Sequence, residues 1–229
     1  MMGSVAAADG GLFRTPPGFI MDTTVVILTA FVAWLILRTQ YQRTRIALLG
    51  RHLSALQLER HMETLTQGYT RAIHEETEAR QLQVFETFAQ TEQAVAAQGR
   101  ALADSMQKEN SQATAMGALS FTVPYIERIV PSMTRDFRKL LHIHAAGLRR
   151  VVDNEAGLDP KARAYRLSAE LYLLQHSCHW FCKSRGVADA RLMLRHKIDH
   201  RKVLESVSEE TRAAYQRWLQ NESAAGPAH

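Results

Sequence analysis

The run FIMDTTVVILTAFVAWLIL, from Phe19 to Leu37, constrains this chain more than any other stretch: nineteen residues with a charge only at Asp22. As an α-helix rising about 1.5 Å per residue, it reaches across roughly the 30 Å of a bilayer's hydrocarbon core. From Val25 to Leu37 no helical spacing yields a polar face, so a transmembrane helix over 19–37 is expected rather than one flank of a soluble core. A cleaved signal peptide is the competing reading. It would have a shorter apolar region followed by an A-x-A pattern, whereas Leu37 runs into RTQYQRTR.

Trp34 and Tyr41 stand at one end of the span, where amphipathic rings prefer the headgroup level. Only Arg14 precedes the span closely, while Arg38, Arg43, Arg45 and Arg51 follow it. Basic flanks stay inside, so a single-pass topology in the cell (inner) membrane is expected, with the N-terminus outside and the C-terminal bulk cytoplasmic. Residues 1–18 carry the Gly, Pro and small residues of a disordered leader, and translation from Met1 or from Met21 fits equally.

Residues 38–110 contain no proline and are filled with Ala, Gln, Glu, Arg, Leu and Thr, which predicts a long stalk helix. Ile46, Leu49, Leu53 and Leu56, then Met62, Leu65 and Tyr69 after Leu58, keep the three-four spacing of a coiled-coil seam. So narrow an apolar stripe needs a partner helix. The partner is either a second copy, making the chain a homo-oligomer, or the chain itself, in a hairpin turned at Gly68 or Gly99 that packs on itself or on the C-terminal domain.

Residues 111–131 read as a hinge or connector, with Pro124 and Pro131 bracketing YIERIV, and residues 132–221 as a helical bundle. Ser132 is expected to cap one helix that ends near Gly157, and Asp159-Pro160 to start another that runs to Ser184 and is closed by Gly186. A third helix should cover Ala188 to Val207, and Ser206 or Ser208 should cap the last. The tail, 222–229, should be disordered. The fold class is therefore all-α.

On a helical wheel Leu167, Leu171, Leu174, Cys178, Phe181 and Cys182 form one stripe of the 159–184 helix, and Tyr165, Ala169, Tyr172, His176 and Trp180 an opposite one. A helix apolar on two sides belongs at the bundle's centre. Imidazole and thiolate are metal ligands, but only His179 and Cys182 of this segment lie close enough to pair. Further ligands would have to come from His142 and His144 or from His196 and His200. Two cysteines four apart on one helix cannot staple distant segments together.

The formal charge of +5, from 28 Lys and Arg against 23 Asp and Glu, looks diffuse, with no basic run of five. That suits an anionic membrane lipid surface more than nucleic acid, for which stacking aromatics would be interleaved with the basic turns. No phosphate loop, nucleophile elbow or H-E-x-x-H is present, so neither an enzyme nor a cofactor is expected. The expected function is a membrane-anchored scaffold or adaptor that oligomerises through its stalk and presents its helical domain to a protein partner. The alternative is a membrane-tethered metal or redox sensor using His179 and Cys182.

Overall fold

The computed structural model describes residues 17–221, with side chains from Thr23 onward. The expected leader lies outside the described residues apart from its last two positions, which begin the first helix, and the expected tail lies wholly outside them. The chain divides into two compact units, residues 1–39 and 40–229.

In the first unit, helix α1 (Pro17–Leu53, continuing into the second unit) is long and apolar enough to cross a membrane. Its large apolar side chains from Val25 to Leu37 are all exposed. Two of its hydroxyls bond back to the helix: Thr29 donates to the Val25 carbonyl and Thr39 to the Leu35 carbonyl, each at 2.8 Å. A threonine bonded this way does not need water.

In the second unit the expected stalk is four helices rather than one. After α1 ends at Leu53 come α2 (Leu58–Ile73), α3 (Glu78–Thr87) and α4 (Ala89–Met106). The chain turns at Ser54–Gln57, at His74–Thr77 and at Phe88, and not at Gly68 or Gly99. Ser54 closes the first turn by donating its hydroxyl to the Arg51 carbonyl at 2.8 Å, and Thr77 caps α3. Gly68 lies under the Phe88 ring, where a Cβ would come within 2.1 Å of Cζ. Folding back supplies the partner that the narrow stripe lacks: Leu49, Leu65, Tyr69, Phe85, Val95 and Leu102 share one buried core with the C-terminal helices.

The connector holds a short helix α5 (Ser111–Thr114), strand β1 (Ala115–Gly117), helix α6 (Ile126–Ile129), a 3-10 turn at Pro131–Met133 and strand β2 (Thr134–Asp136). The strands pair antiparallel, Met116 opposite Arg135, a small β exception to the all-α expectation. Helix α7 (Phe137–Val152) is capped by Asp136, which accepts from the Arg138 N–H at 2.9 Å, and not by Ser132.

Helix α8 (Pro160–Cys182) starts at the Asp159-Pro160 signal, with Asp159 accepting from the Ala162 N–H. The expected single helix over Ala188–Val207 is two, α9 (Arg185–His196) and α10 (His200–Ser206). Lys197 takes a left-handed conformation (φ 56°) between them, and Asp199 caps the second. Gly186 does not close α8; it sits in α9, where a Cβ would stand 2.8 Å from the Ser120 carbonyl oxygen. Ser208, rather than Ser206, caps α11 (Glu209–Gln220).

Candidate functional site

Helix α8 carries polar groups into the centre of the second unit. Leu167, Leu171, Leu174 and Phe181 are buried on one side and Ala169, His176 and Trp180 on the other, as the two stripes predict, while Tyr165 is exposed. His176 places Nε2 2.8 Å from an Asp189 carboxylate oxygen on α9, and its ring lies tilted against His200 of α10 at 4.4 Å between centroids. His200 Nε2 lies 3.1 Å from the Tyr215 hydroxyl on α11, and His144 Nε2 on α7 lies 2.9 Å from the Ser177 hydroxyl. Five helices thus meet through three imidazoles.

Burial pushes His144 down to about 3 and His200 down to about 4, and His176 depresses both further by its nearby charge. Both rings are neutral near pH 7 and serve as uncharged donors and acceptors. The hydrogen bond from His176 is the main reason the Asp189 carboxyl is lowered. Glu170 is the deepest acid: it accepts from the Ser208 N–H at 3.1 Å and from the Ser208 hydroxyl at 2.9 Å. Burial nevertheless raises its pKa. Gly147 of α7 makes room for it, since a Cβ there would meet Glu170 Oε2 at 2.6 Å and Thr211 Oγ1 at 2.4 Å.

The sequence-predicted ligands do not converge. His179 Nδ1 accepts from Arg191 Nη1 at 3.2 Å, and burial followed by the Arg191 charge lowers it to about 4. His196 is bonded to Gln175 and lies tilted against the Tyr172 ring. Burial pushes the Cys182 thiol up to about 11 and raises Cys178 as well, so both hold their protons and are poor nucleophiles. Among the described residues no three His, Cys, Asp or Glu side chains stand together as a metal-ion site.

The expected seam is divided. Leu49, Leu65 and Tyr69 are buried in the chain's own core, Leu53, Leu56 and Met62 are half-buried against it, and Ile46 is exposed. Tyr69 donates to the buried Glu92, which Arg163 also pairs at 3.0 Å.

Two residues read from the sequence as membrane flanks also belong to the second unit's interior. Tyr41 is buried and donates to Glu127 at 2.9 Å. Arg45, 5% exposed, donates to the carbonyls of Phe181 and Ala115 and lies 4.4 Å over the Tyr41 ring. Nothing in the local sequence marks this node, because its partners lie 70 and 136 residues away.

The charge excess is concentrated and not diffuse. From Lys183 to Lys202, seven Lys and Arg face two Asp, which gives +5, the formal charge of the whole chain. Both aspartates are committed, Asp189 to His176 and Asp199 to capping α10. Between α8 and α9 runs an open groove of about 410 Å³ lined by Gln175, His176, His179, Arg191, Leu192 and Arg195. Leu194, 72% exposed, stands at its rim. Fixed cations beside exposed apolar side chains suit an acidic, partly apolar ligand. No family model, curated protein or solved structure matches the chain.

Proposed function

We propose that the chain is a single-pass membrane-anchored adaptor whose second unit presents the basic α8–α9 groove to an acidic helical segment of a protein partner. The carrying observation is that +5 of charge gathers over residues 183–202 beside an open groove with Leu194 at its rim. The apolar part of α1 fixes the chain in the bilayer, with Arg38, Arg43 and Arg51 on the cytoplasmic side. The histidine network holds α9 in register with α8 and does no chemistry on a substrate. Six of the seven proposed seam residues pack against the chain's own core, so the protein contact is assigned to α9 and not to the stalk.

A photo-crosslinking side chain in place of Leu194, in cells, tests this. One discrete adduct is expected, lost when Arg191 and Arg195 are both changed to Glu while the melting temperature stays unchanged. No adduct, or an adduct indifferent to the charge reversal, removes the proposal.

A further inference from the structure

The connector exposes apolar side chains that the basic groove does not use. From Arg128 to Met133 all six residues are exposed, among them Ile129 at 71%, Val130 at 37% and Met133 at 37%; Phe121 of the same connector is 64% exposed. A run of this kind is costly in water and marks a surface that meets something apolar.

Part of this tip's backbone is paired within the connector. The Arg128, Val130 and Met133 N–H groups donate to the carbonyls of Tyr125, Ile126 and Val130 at 2.8–3.0 Å, and Pro131 has no N–H to satisfy. The Met133 carbonyl in turn accepts from the Ala118 N–H at 2.9 Å, and Thr134 donates its hydroxyl to the Pro131 carbonyl at 2.7 Å. Groups paired in this way can leave water without being orphaned, and the others keep water or headgroups as partners in the interfacial region.

Within the second unit the connector is also tied to the residues that follow the apolar run in the chain. Tyr41 donates to Glu127 and packs edge-on against Tyr125 at 5.2 Å, and Gln42 donates to the Thr122 hydroxyl oxygen at 3.0 Å. Tyr41 and Gln42 follow Leu37 by four and five residues, a chain length that even fully extended covers no more than about 18 Å. Exposed Arg43 and Arg128 accompany these contacts, and arginine beside apolar side chains is the composition of a headgroup boundary.

We propose that the connector tip, Ile129 to Met133 together with Phe121, dips into the interfacial region of the bilayer that holds α1, as a second, shallow membrane contact. This contact presupposes the anchor. Trp34 lies in the apolar run, whereas the other two tryptophans, Trp180 and Trp218, are buried within the second unit. Quenching of tryptophan emission by brominated phosphatidylcholine therefore reports separately on the anchor and on the tip.

The full chain is reconstituted in vesicles of that lipid as the native sequence, as Trp34→Phe, and as Trp34→Phe carrying either Ile129→Trp or Leu194→Trp. The native chain should be quenched, and Trp34→Phe should lose most of that quenching. Ile129→Trp should restore it with a blue-shifted emission, and Leu194→Trp should not.

If the native chain is quenched but the indole at position 129 is not, the tip contact is overturned while the anchor stands, and the patch is left to a protein. If Trp34 itself is unquenched, the anchor fails and the tip contact falls with it. Equal quenching at positions 129 and 194 also overturns the proposal, because lipid would then be meeting any exposed apolar side chain. Both substituted positions are exposed, so an unchanged melting temperature verifies that the fold survives.

Discussion

Along α1 from Val25 to Leu37 every large apolar side chain is exposed, whereas α8 buries Leu167, Leu171, Leu174, Trp180 and Phe181 on two sides. Neither helix offers the single apolar face of a surface helix. Their polar atoms separate them. In the apolar part of α1 the Thr29 hydroxyl bonds back to the Val25 carbonyl of the same helix. Helix α8 carries Glu170, His176 and Ser177, each held by a residue from a neighbouring helix. An apolar helix with self-sufficient polar groups suits lipid, and one whose polar groups require distant partners suits the inside of a fold.

The sharpest way to break this comparison is to place the same charge in each helix. Leu171→Asp should abolish cooperative unfolding of the second unit, because an unpaired carboxylate would sit at a fully buried position. Leu28→Asp should leave that transition unchanged and act on membrane insertion alone, at about 3 kcal/mol. Circular dichroism melting of the chain in detergent, together with carbonate extraction from membranes, reads both. A Leu28→Asp chain that loses its folded domain would show that the two units are not independent.

The folded-back stalk gives the next largest effect. Leu65→Ala should cost about 2–5 kcal/mol in a denaturant titration, since Leu65 is fully buried. Ile46→Ala, at an exposed position of the same supposed seam, should stay within about 0.5 kcal/mol. Equal effects at the two sites would return the seam to an interface between copies.

Acid should then destabilise the second unit through its imidazoles. His144 and His200 have folded values of about 3 and about 4 against 6.5 for the free side chain. In that window the unfolded chain binds more protons, so stability is present above about 6.5 and is lost as the pH falls towards 4. Each kcal/mol lost lowers the melting point of a domain this size by about 2–4 °C. His144→Gln should make the decline from pH 7 to pH 5 shallower, and an unchanged slope would remove His144 from the account.

The smallest effect belongs to Glu170. Its raised pKa works in the opposite direction, its contribution falling as the pH rises above the ordinary carboxylate range. Glu170→Gln, which cannot ionise, should therefore flatten that decline, an effect below about 1 kcal/mol. A larger loss in the same titration would mean that the carboxylate is charged and paired in the fold.

Much of the helical content was legible because its signals are local. Asp159-Pro160 and Ser208 announce α8 and α11 through cap chemistry confined to three or four residues, and the two stripes of α8 follow from its own spacing. The breaks in the stalk were not legible. They occur at Ser54–Gln57, His74–Thr77 and Phe88, without proline or glycine in the turn, and the last brings Phe88 over Gly68, twenty residues away in the chain. The β1–β2 ribbon is three residues long in each strand and paired across the connector, too short to carry a period of its own.

Of the candidate site, the sequence exposed the histidines but not their partners. His179 and Cys182 share a helix face, yet the residues that decide their chemistry, Arg191 and the surrounding core, come from elsewhere. The basic groove was not legible because its lining cations, Arg191 and Arg195, are four residues apart on α9 and its other wall, on α8, is contributed from across a turn. The interior role of Arg45 depends on carbonyls on two other elements, which no reading of its neighbours predicts.

Arg45 also carries a consequence for biosynthesis. One of its carbonyl acceptors belongs to Phe181, 136 residues downstream. A ribosome adding about 5–20 residues per second needs on the order of 10 s to make that partner. Until then the guanidinium follows the apolar run without that acceptor. The same side chain is thus available first as a charge flanking a nascent apolar helix and only later as a buried tie between α1 and α8, two employments separated by the time of translation.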